Sequence, residues 1–567
     1  MSNKMSLMPN ISIPRSRFKQ DFNHSFDMFH GDVVPVDCFE VVPGDEFSYE
    51  CASLIRMSTP VVPIMGNIKA YYHAFFVPLR LIFDQAEQFY GDPSNHDTVS
   101  SITPVSPNSV YIPNALGFVN NSVPFKYSVQ DYLGKEDVDR IQTMLGSSDW
   151  ASYRSKVNVS PMKERAYLTI WNDHFRPSLM VPPVLVDKSM YPLHYGSASF
   201  LGSGTTYFDY PFKCLPGFKQ YDYFTASTFS PQFASATVSL PLGLTAPLKV
   251  GSSLTSLGGN MKFNTGNVVG SLVVAMDGTV SRTTASSTSS IGNITMTNLV
   301  ADLAAATAAN INDIRFAFQL QKYYERSNYG SKYFEILNAH YGITNPDSRL
   351  QRAERLGSHE FYINISQVVS TSDTDNGTNG KPLGNTGAVS TTGDKVHLFT
   401  KSFSEPGYVM VVLTTKYDRQ YSSGWLREDL KKQRFEFYSP EFAHLGDQAT
   451  RKVELQSYGS SSNRDISGET FGYQEHWAEY RYRKNLVSGT LRVGESFDIW
   501  TLADSFNGDD LTLGYDFLKE DRDSLARLLM TGTLGPDYIV DYHANIIATR
   551  ELPLYSIPGL IDHFGAL

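Results

Sequence analysis

Across residues 33–83 the apolar positions fall into strand patterns. Phe47, Tyr49 and Cys51 alternate with Glu46, Ser48 and Glu50, the period of two expected where one face of a strand is buried. Over residues 68–77 apolar side chains occupy both faces, which predicts a strand covered on both sides. Pro43-Gly44-Asp45 has turn chemistry: proline fixes φ and glycine permits a positive φ. Thr59-Pro60 and Val62-Pro63 force extended connections. Long aromatic strands joined by proline-stiffened loops suit the wall of a β-barrel.

Further along, the pattern predicts a short helix over 81–90 ended by Gly91, then a Pro/Asn/Ser-rich loop to 127. Ser128 and Ser160 are helix caps, the second reinforced by Pro161 at a position where a missing N–H costs nothing. The helix after Ser160 runs to Arg176. It places Tyr167, Ile170, Trp171 and His174 on one side, so His174 reads as a packed residue rather than a ligand. Helices are predicted over 312–326, with Ile314, Phe318 and Gln321 on one face, and over 332–341, closed by Gly342. Residues 371–394 read as a polar loop. Strands resume over 396–403, 408–416, 490–502 and 538–549. No internal repeat is visible.

Two segments stand apart. Residues 1–30 are polar, with Lys4, Arg15, Arg17 and Lys19 against Asp21 and Asp27, and read as an extended N-terminal arm. Residues 225–298 hold two Lys, one Arg, one Asp and no Tyr or Trp in 74 residues. Such a stretch reads as a linker or as a folded insertion. The Asp277-Gly278 pair between β-prone runs is a hairpin-turn signal and favours the insertion. An Ala-rich helix over 299–309 would return the chain.

Composition narrows the function. Aromatic residues make up 13% of the 567, and charged residues only 19%, below the usual quarter. That combination fits a β-rich core or a surface hidden in subunit contacts. The net charge of −10 argues against a protein that coats nucleic acid over its whole surface, while leaving room for a local basic patch. Cys38, Cys51 and Cys214 are too few and too scattered for a disulfide framework or a zinc site, and fit buried thiols in a reducing compartment. The N-terminal residues lack a signal-peptide apolar core, and no 18-residue apolar run marks a membrane span. The expectation is a soluble protein made in the cytosol.

Sharp catalytic signatures are absent: there is no G-x-S-x-G and no H-E-x-x-H. Gly380-Lys381 fails as a phosphate loop because Asp375 stands where glycine is needed and Pro382 where Ser or Thr is needed. Asp373-Thr-Asp375-Asn-Gly377 begins like a calcium loop but puts Gly377 at a ligand position and lacks the closing glutamate. One basic-aromatic run has chemistry. In residues 471–484, Tyr480 and Tyr482 with Arg481, Arg483 and Lys484 are suited to stack on and neutralise single-stranded nucleic acid. The plainer reading is a strand with its aromatics inward and its arginines paired to Glu475 and Glu479.

Taken as a set, these stretches resemble the major capsid protein of the microviruses, small single-stranded-DNA phages, and within them the gokushovirus branch. The resemblance is carried by Pro14-Arg-Ser-Arg-Phe18, Val42-Pro-Gly-Asp45, residues 56–67 and Phe75-Phe-Val-Pro-Leu-Arg-Leu81. It continues in Arg165-Ala-Tyr167 with Ile170-Trp-Asn172, Gln319 and Lys322 with Glu325-Arg326, Tyr333-Phe-Glu-Ile336 and Asp347-Ser-Arg-Leu-Gln-Arg352. Ala443-His-Leu-Gly-Asp-Gln448, Phe471-Gly-Tyr-Gln-Glu475, Ala478-Glu-Tyr-Arg-Tyr482 and residues 553–564 complete it. Each is modest alone; their order from end to end is specific.

The resemblance implies a mainly β fold: an eight-stranded antiparallel viral jelly roll with long inter-strand insertions containing helices. It implies no enzyme and no cofactor, and a coat subunit of a small icosahedral (T=1-type) shell around circular single-stranded DNA. The implied partners are further copies of the chain, the packaged DNA, a small basic DNA-binding protein, pilot and scaffolding proteins, and a receptor on the bacterial host. The chain divides into an arm (1–30), a first jelly-roll part (31–224), a surface insertion placed like the family's threefold protrusion (225–298), and a second jelly-roll part with a C-terminal arm (299–567). Candidate DNA contacts are Arg15, Arg17, Lys19, Arg481, Arg483 and Lys484. Candidate attachment residues are Asn267, Asp277, Gly278 and Arg282. Candidate assembly residues are Tyr555, Pro558 and Phe564, in a C-terminal stretch too proline-broken for a helix. The competing reading is a jelly-roll protein that binds or cleaves carbohydrate.

Overall fold

In the computed structural model, the description covers residues 15–90, 125–136, 140–141, 143–145, 159–186, 188, 213–230, 351–369, 371, 386–443, 445–456, 466–504, 506, 511–532 and 534–555. The strands and helices given below between 248 and 342 are also described. The chain forms two compact units. One comprises residues 1–231 with 344–567, the other 232–343.

The first unit is built on eight strands: β1 (Ser16–Met28), β2 (Val34–Val41), β3 (Glu46–Met57), β4 (Ile68–Pro78), β5 (Glu354–Tyr362), β6 (Thr392–Ser402), β7 (Gly407–Tyr417) and β8 (Tyr538–Arg550). They make two four-stranded antiparallel sheets, ordered β1-β8-β3-β6 and β5-β4-β7-β2. The sheets face each other through aromatic side chains. Phe39 meets Phe47 at 4.9 Å, Phe76 meets Phe403 at 4.7 Å and Tyr72 meets Tyr542 at 5.6 Å between ring centres. Burying each such ring contributes roughly 1.5–3 kcal/mol.

The period-two reading of β3 holds: Phe47, Tyr49, Cys51 and Ile55 are buried while Glu46, Ser48 and Glu50 are not. β4 is apolar on both faces for a visible reason. Its inner face packs into the sandwich, and its outer face is covered by helix α1 (Met162–Ile170) and the π-helical turn Trp171–Phe175 that prolongs it. His174 sits 4.6 Å from Phe75 and bonds the Ala353 carbonyl at 2.7 Å. Tyr167 donates to Val33 O at 2.7 Å, fixing α1 across the strands. Ser160 Oγ accepts from Met162 N, and Ser128 Oγ from Asp131 N. Gly44 occupies the turn after β2 with φ +93°, and a Cβ there would lie 2.7 Å from the Glu551 carboxylate, so the position requires glycine.

Four local expectations are corrected. The segment read as an extended arm is, from Ser16, a wall strand paired with β8. Residues 490–502 are not a strand but two 3-10 turns, Gly489–Leu491 and Asp498–Trp500, neither with a buried residue; the apolar Leu491, Phe497 and Ile499 are exposed. The helix read over 81–90 is two single turns, Leu79–Ile82 and Ala86–Phe89. The loop read over 371–394 includes strand Thr386–Ser390, paired with Ile365–Val369, and the start of β6. In this ribbon Ala388 and Ser390 are buried while residues 366–369 are exposed.

The second unit holds an antiparallel sheet of Lys262–Asn264, Val269–Val274, Val280–Thr284 and Ser287–Ser290. Leu248–Val250 pairs with Leu299–Ala301, so the expected helix from residue 299 begins instead as a strand. Helices α2 (Ile311–Ser327) and α3 (Tyr333–Tyr341) follow. Among the described side chains of α2, Ala317 is buried, while Phe318, expected on the packed face, is exposed. The unit spans residues 232–343.

Candidate nucleic-acid interface

The basic candidates lie in two places, and no contact among the described residues joins them. Arg15, Arg17 and Lys19 project from one face at the start of β1, since alternate residues of a strand share a face. Arg15 pairs with Glu551 at 3.2 Å and Lys19 with Asp21 at 3.0 Å, all on the surface. Arg17 is exposed opposite Thr549.

The second place is the long excursion between β7 and β8. Strand Thr470–Glu475 pairs with Asp447–Arg451 and leads into the 3-10 turn Ala478–Tyr480. Trp477 makes the corner with φ +69°, a left-handed conformation strained for a bulky residue, and its indole N–H bonds the Phe442 carbonyl at 2.8 Å. The run is therefore not a strand with its aromatics inward. Tyr480 and Tyr482 remain more than half exposed, and Tyr438, Trp477 and Tyr480 form a tilted aromatic shelf with centroids 5.6–6.1 Å apart.

The cations of this run have different fates. Arg481 pairs with Glu475, as the plainer reading expected. Glu479 pairs instead with Lys431 at 2.8 Å, and the Lys431 ammonium lies 4.3 Å from the Tyr480 ring centre. Arg483 is exposed and lines a shallow cleft with Trp425, Glu428 and Tyr482. Lys484 is corrected as a DNA candidate. Its ammonium donates to Ser423 O (2.6 Å), Gly424 O (3.3 Å) and Glu454 O (2.8 Å). An ammonium has three donors, so none is left for phosphate, and burial pushes its pKa down to about 8.

Beside the shelf lies a polar cavity of about 170 Å³ lined by Arg427, Lys431, Arg451, Glu436, Glu479 and His476, among others. Lys431, Tyr438 and Trp477 were missed in the sequence. The available signal was the basic run Lys431-Lys432-Gln433-Arg434 running into Phe435, Phe437 and Tyr438. No cluster of three metal-ligating side chains occurs among the described residues, and no helix there is long and apolar enough to cross a membrane.

The remaining candidates are mostly outside the description. Asn267, Asp277 and Gly278 lie outside the described residues, as do Pro558 and Phe564. The strands flanking residues 275–279 do pair as a hairpin, Val274 opposite Val280, and Arg282 stands opposite Leu272 and Ser289. Tyr555 is 75% exposed.

Compared with known proteins, residues 6–560 match the family described as Capsid protein (F protein). The chain belongs to this capsid protein family. Capsid protein VP1 of Chlamydia phage 1 is 30% identical over 621 residues, covering 99% of this chain and 98% of the relative. Capsid protein VP1 of Bdellovibrio phage phiMH2K is 29% identical over 573 residues, with 98% and 97% covered. Capsid protein VP1 of Spiroplasma virus 4 is 29% identical over 578 residues, again with 98% and 97% covered. All three come from microviruses, so the resemblance read from the scattered motifs holds over the whole chain. The role of this capsid protein is structural, and its place is the virion.

Proposed function

We propose that the chain is the coat subunit of a small icosahedral (T=1-type) shell enclosing circular single-stranded DNA, and that its eight wall strands form a viral jelly roll. The observation that carries the reading is strand order. Numbered along the chain, the sheets run 1-8-3-6 and 5-4-7-2, so the first and last strands are neighbours and later strands interleave with earlier ones. That order supports the double Greek-key arrangement of a jelly roll. The full-length match to capsid proteins supports the same reading.

In this reading the DNA side uses Arg17, Arg481 and Arg483, with the Tyr480 and Tyr482 rings as stacking surfaces. Arg15 and Lys19 contribute once their surface partners exchange for phosphate. Three charges account for a salt slope of only about 2 on single strands, so most of the packaged charge falls to ions or to a small basic viral protein. Pilot and scaffolding proteins complete the particle. The chain is made in the host cytoplasm, and Asn267, Asp277, Gly278 and Arg282 serve attachment to a host receptor.

The decisive experiment replaces residues 230–295 with a short Gly/Ser linker and images the product. Shells that form but no longer adsorb to host cells support attachment. Shells that adsorb and infect normally overturn it, and failure to form shells makes the insertion an assembly element.

A further inference from the structure

β1 is the edge strand of its sheet: β8 is its one neighbour there. Its C-terminal half is covered, with Phe26 against Tyr132 and Tyr132 donating to Asp27 O at 2.8 Å. Its N-terminal half is open. Phe18, Gln20 and Phe22 stand on the inward face opposite Ala548, Ile546 and Ala544, which are all buried. Yet Gln20 is exposed, Phe18 is only partly covered and Phe22 is 37% exposed. Among the described residues no strand pairs with its outer backbone edge, which lies beside partly uncovered aromatic rings. Edges of this kind are normally protected by charged side chains, proline, a bulge or a covering element. Here Lys19 lies against Asp21 and Arg15 against Glu551, which leaves Arg17 as the charge without such a partner.

The chain's own C-terminal stretch leaves from the same corner. Arg550, the last residue of β8, pairs with Ser16. Leu552, Leu554 and Tyr555 then follow at 51%, 58% and 75% exposure, apolar and uncovered by their own subunit. Twelve residues continue to Leu567 and include Ile557, Leu560, Ile561 and Phe564. Extended, they reach about 40 Å, against roughly 25 Å for the eight open residues of β1. Pro553 and Pro558 bar a helix but suit a strand added at an edge.

We propose that residues 16–23 of β1 receive, as an added strand, the C-terminal stretch beyond Tyr555 of a second copy of this chain. This rests on the coat-subunit reading and gives it a contact. The addition supplies backbone hydrogen bonds along the edge and apolar side chains for Phe18 and Phe22. Because the donor and acceptor surfaces differ, the contact is head-to-tail and closes into rings or a shell.

The test uses two differently tagged full-length chains. One carries Gln20→Cys, and the other carries Ile557→Cys, Leu560→Cys or Ile561→Cys in turn. They are co-assembled, oxidised mildly and run without reductant. The expected result is a covalent product bearing both tags for at least one tail position. Well-formed shells without that product overturn the proposal. So does a single chain carrying both cysteines that links only within itself, since the tail then covers its own edge. A second variant, Phe22→Asp, is expected to give a folded subunit that does not assemble; normal shells from it also overturn the proposal. If the unmodified chain forms no shells, the coat-subunit reading fails and takes this contact with it, whereas shells lacking the cross-link sink the contact alone.

Discussion

One guanidinium nitrogen of Arg419 lies 2.9 Å and 3.0 Å from the two carboxylate oxygens of Asp504, with both side chains buried. The pair ties together residues 85 positions apart, bracketing the part of the excursion that carries the aromatic shelf. A buried pair broken on one side leaves an uncompensated charge. Asp504→Ala should therefore destabilise the subunit by about 3–5 kcal/mol in urea unfolding. A change within 0.5 kcal/mol would mean that the excursion is held elsewhere.

The other side of Arg419 gives a pH dependence. Its second terminal nitrogen is 2.8 Å from Glu520, which also meets His30 at 3.2 Å. Burial alone would raise the Glu520 pKa, but Arg419 and His30 hold it down to about 2. A carboxylate depressed in the folded state stabilises above its unfolded pKa, near 4.5, and loses that contribution as pH falls toward 2. Glu520→Gln should be less stable than the parent by about 3 kcal/mol at neutral pH, with the gap closing between pH 4.5 and 2. A gap independent of pH would contradict the assignment.

Lys484 and Arg483 are adjacent but have opposite roles. Lys484→Met strands three carbonyls and should cost about 1–3 kcal/mol of stability, with little specific effect on DNA content. Arg483→Ala should change stability by no more than about 0.5 kcal/mol and lower the salt slope of single-strand binding by about 0.7. Paired unfolding curves and filter-binding titrations separate the two; the reverse pattern would overturn both assignments.

Cys38, Cys51 and Cys214 are all free thiols, and burial pushes Cys38 and Cys51 up to about 12. Ellman's reagent at pH 8 should label the native subunit slowly and count three thiols in denaturant without reductant. A count below three would show an oxidised pair.

β3, β4, β7 and β8 were legible because each buries one face, or both, over eight or more residues, whereas β5, which has no fully buried residue, was not. β1 was read as an arm although Phe18, Phe22, Phe26 and Met28 alternate with Arg17, Lys19, Asp21, Asn23, Ser25 and Asp27, because most of its N-terminal half is exposed and charged. Over 490–502 the alternation misleads because Leu491, Phe497 and Ile499 are apolar yet exposed, so they mark no buried face. In the basic-aromatic run, the sequence could not separate Arg483 from Lys484. The difference lies in the carbonyls of residues 423, 424 and 454, remote in the chain from the lysine they hold.

The central claim is assembly, and the most direct measurement is electron microscopy of the purified full-length chain beside a truncation lacking residues 553–567. The account predicts closed, uniform icosahedral shells from the full chain and soluble, unassembled subunits from the truncation. A full chain that remains a compact monomer or dimer at shell-forming concentrations would contradict it.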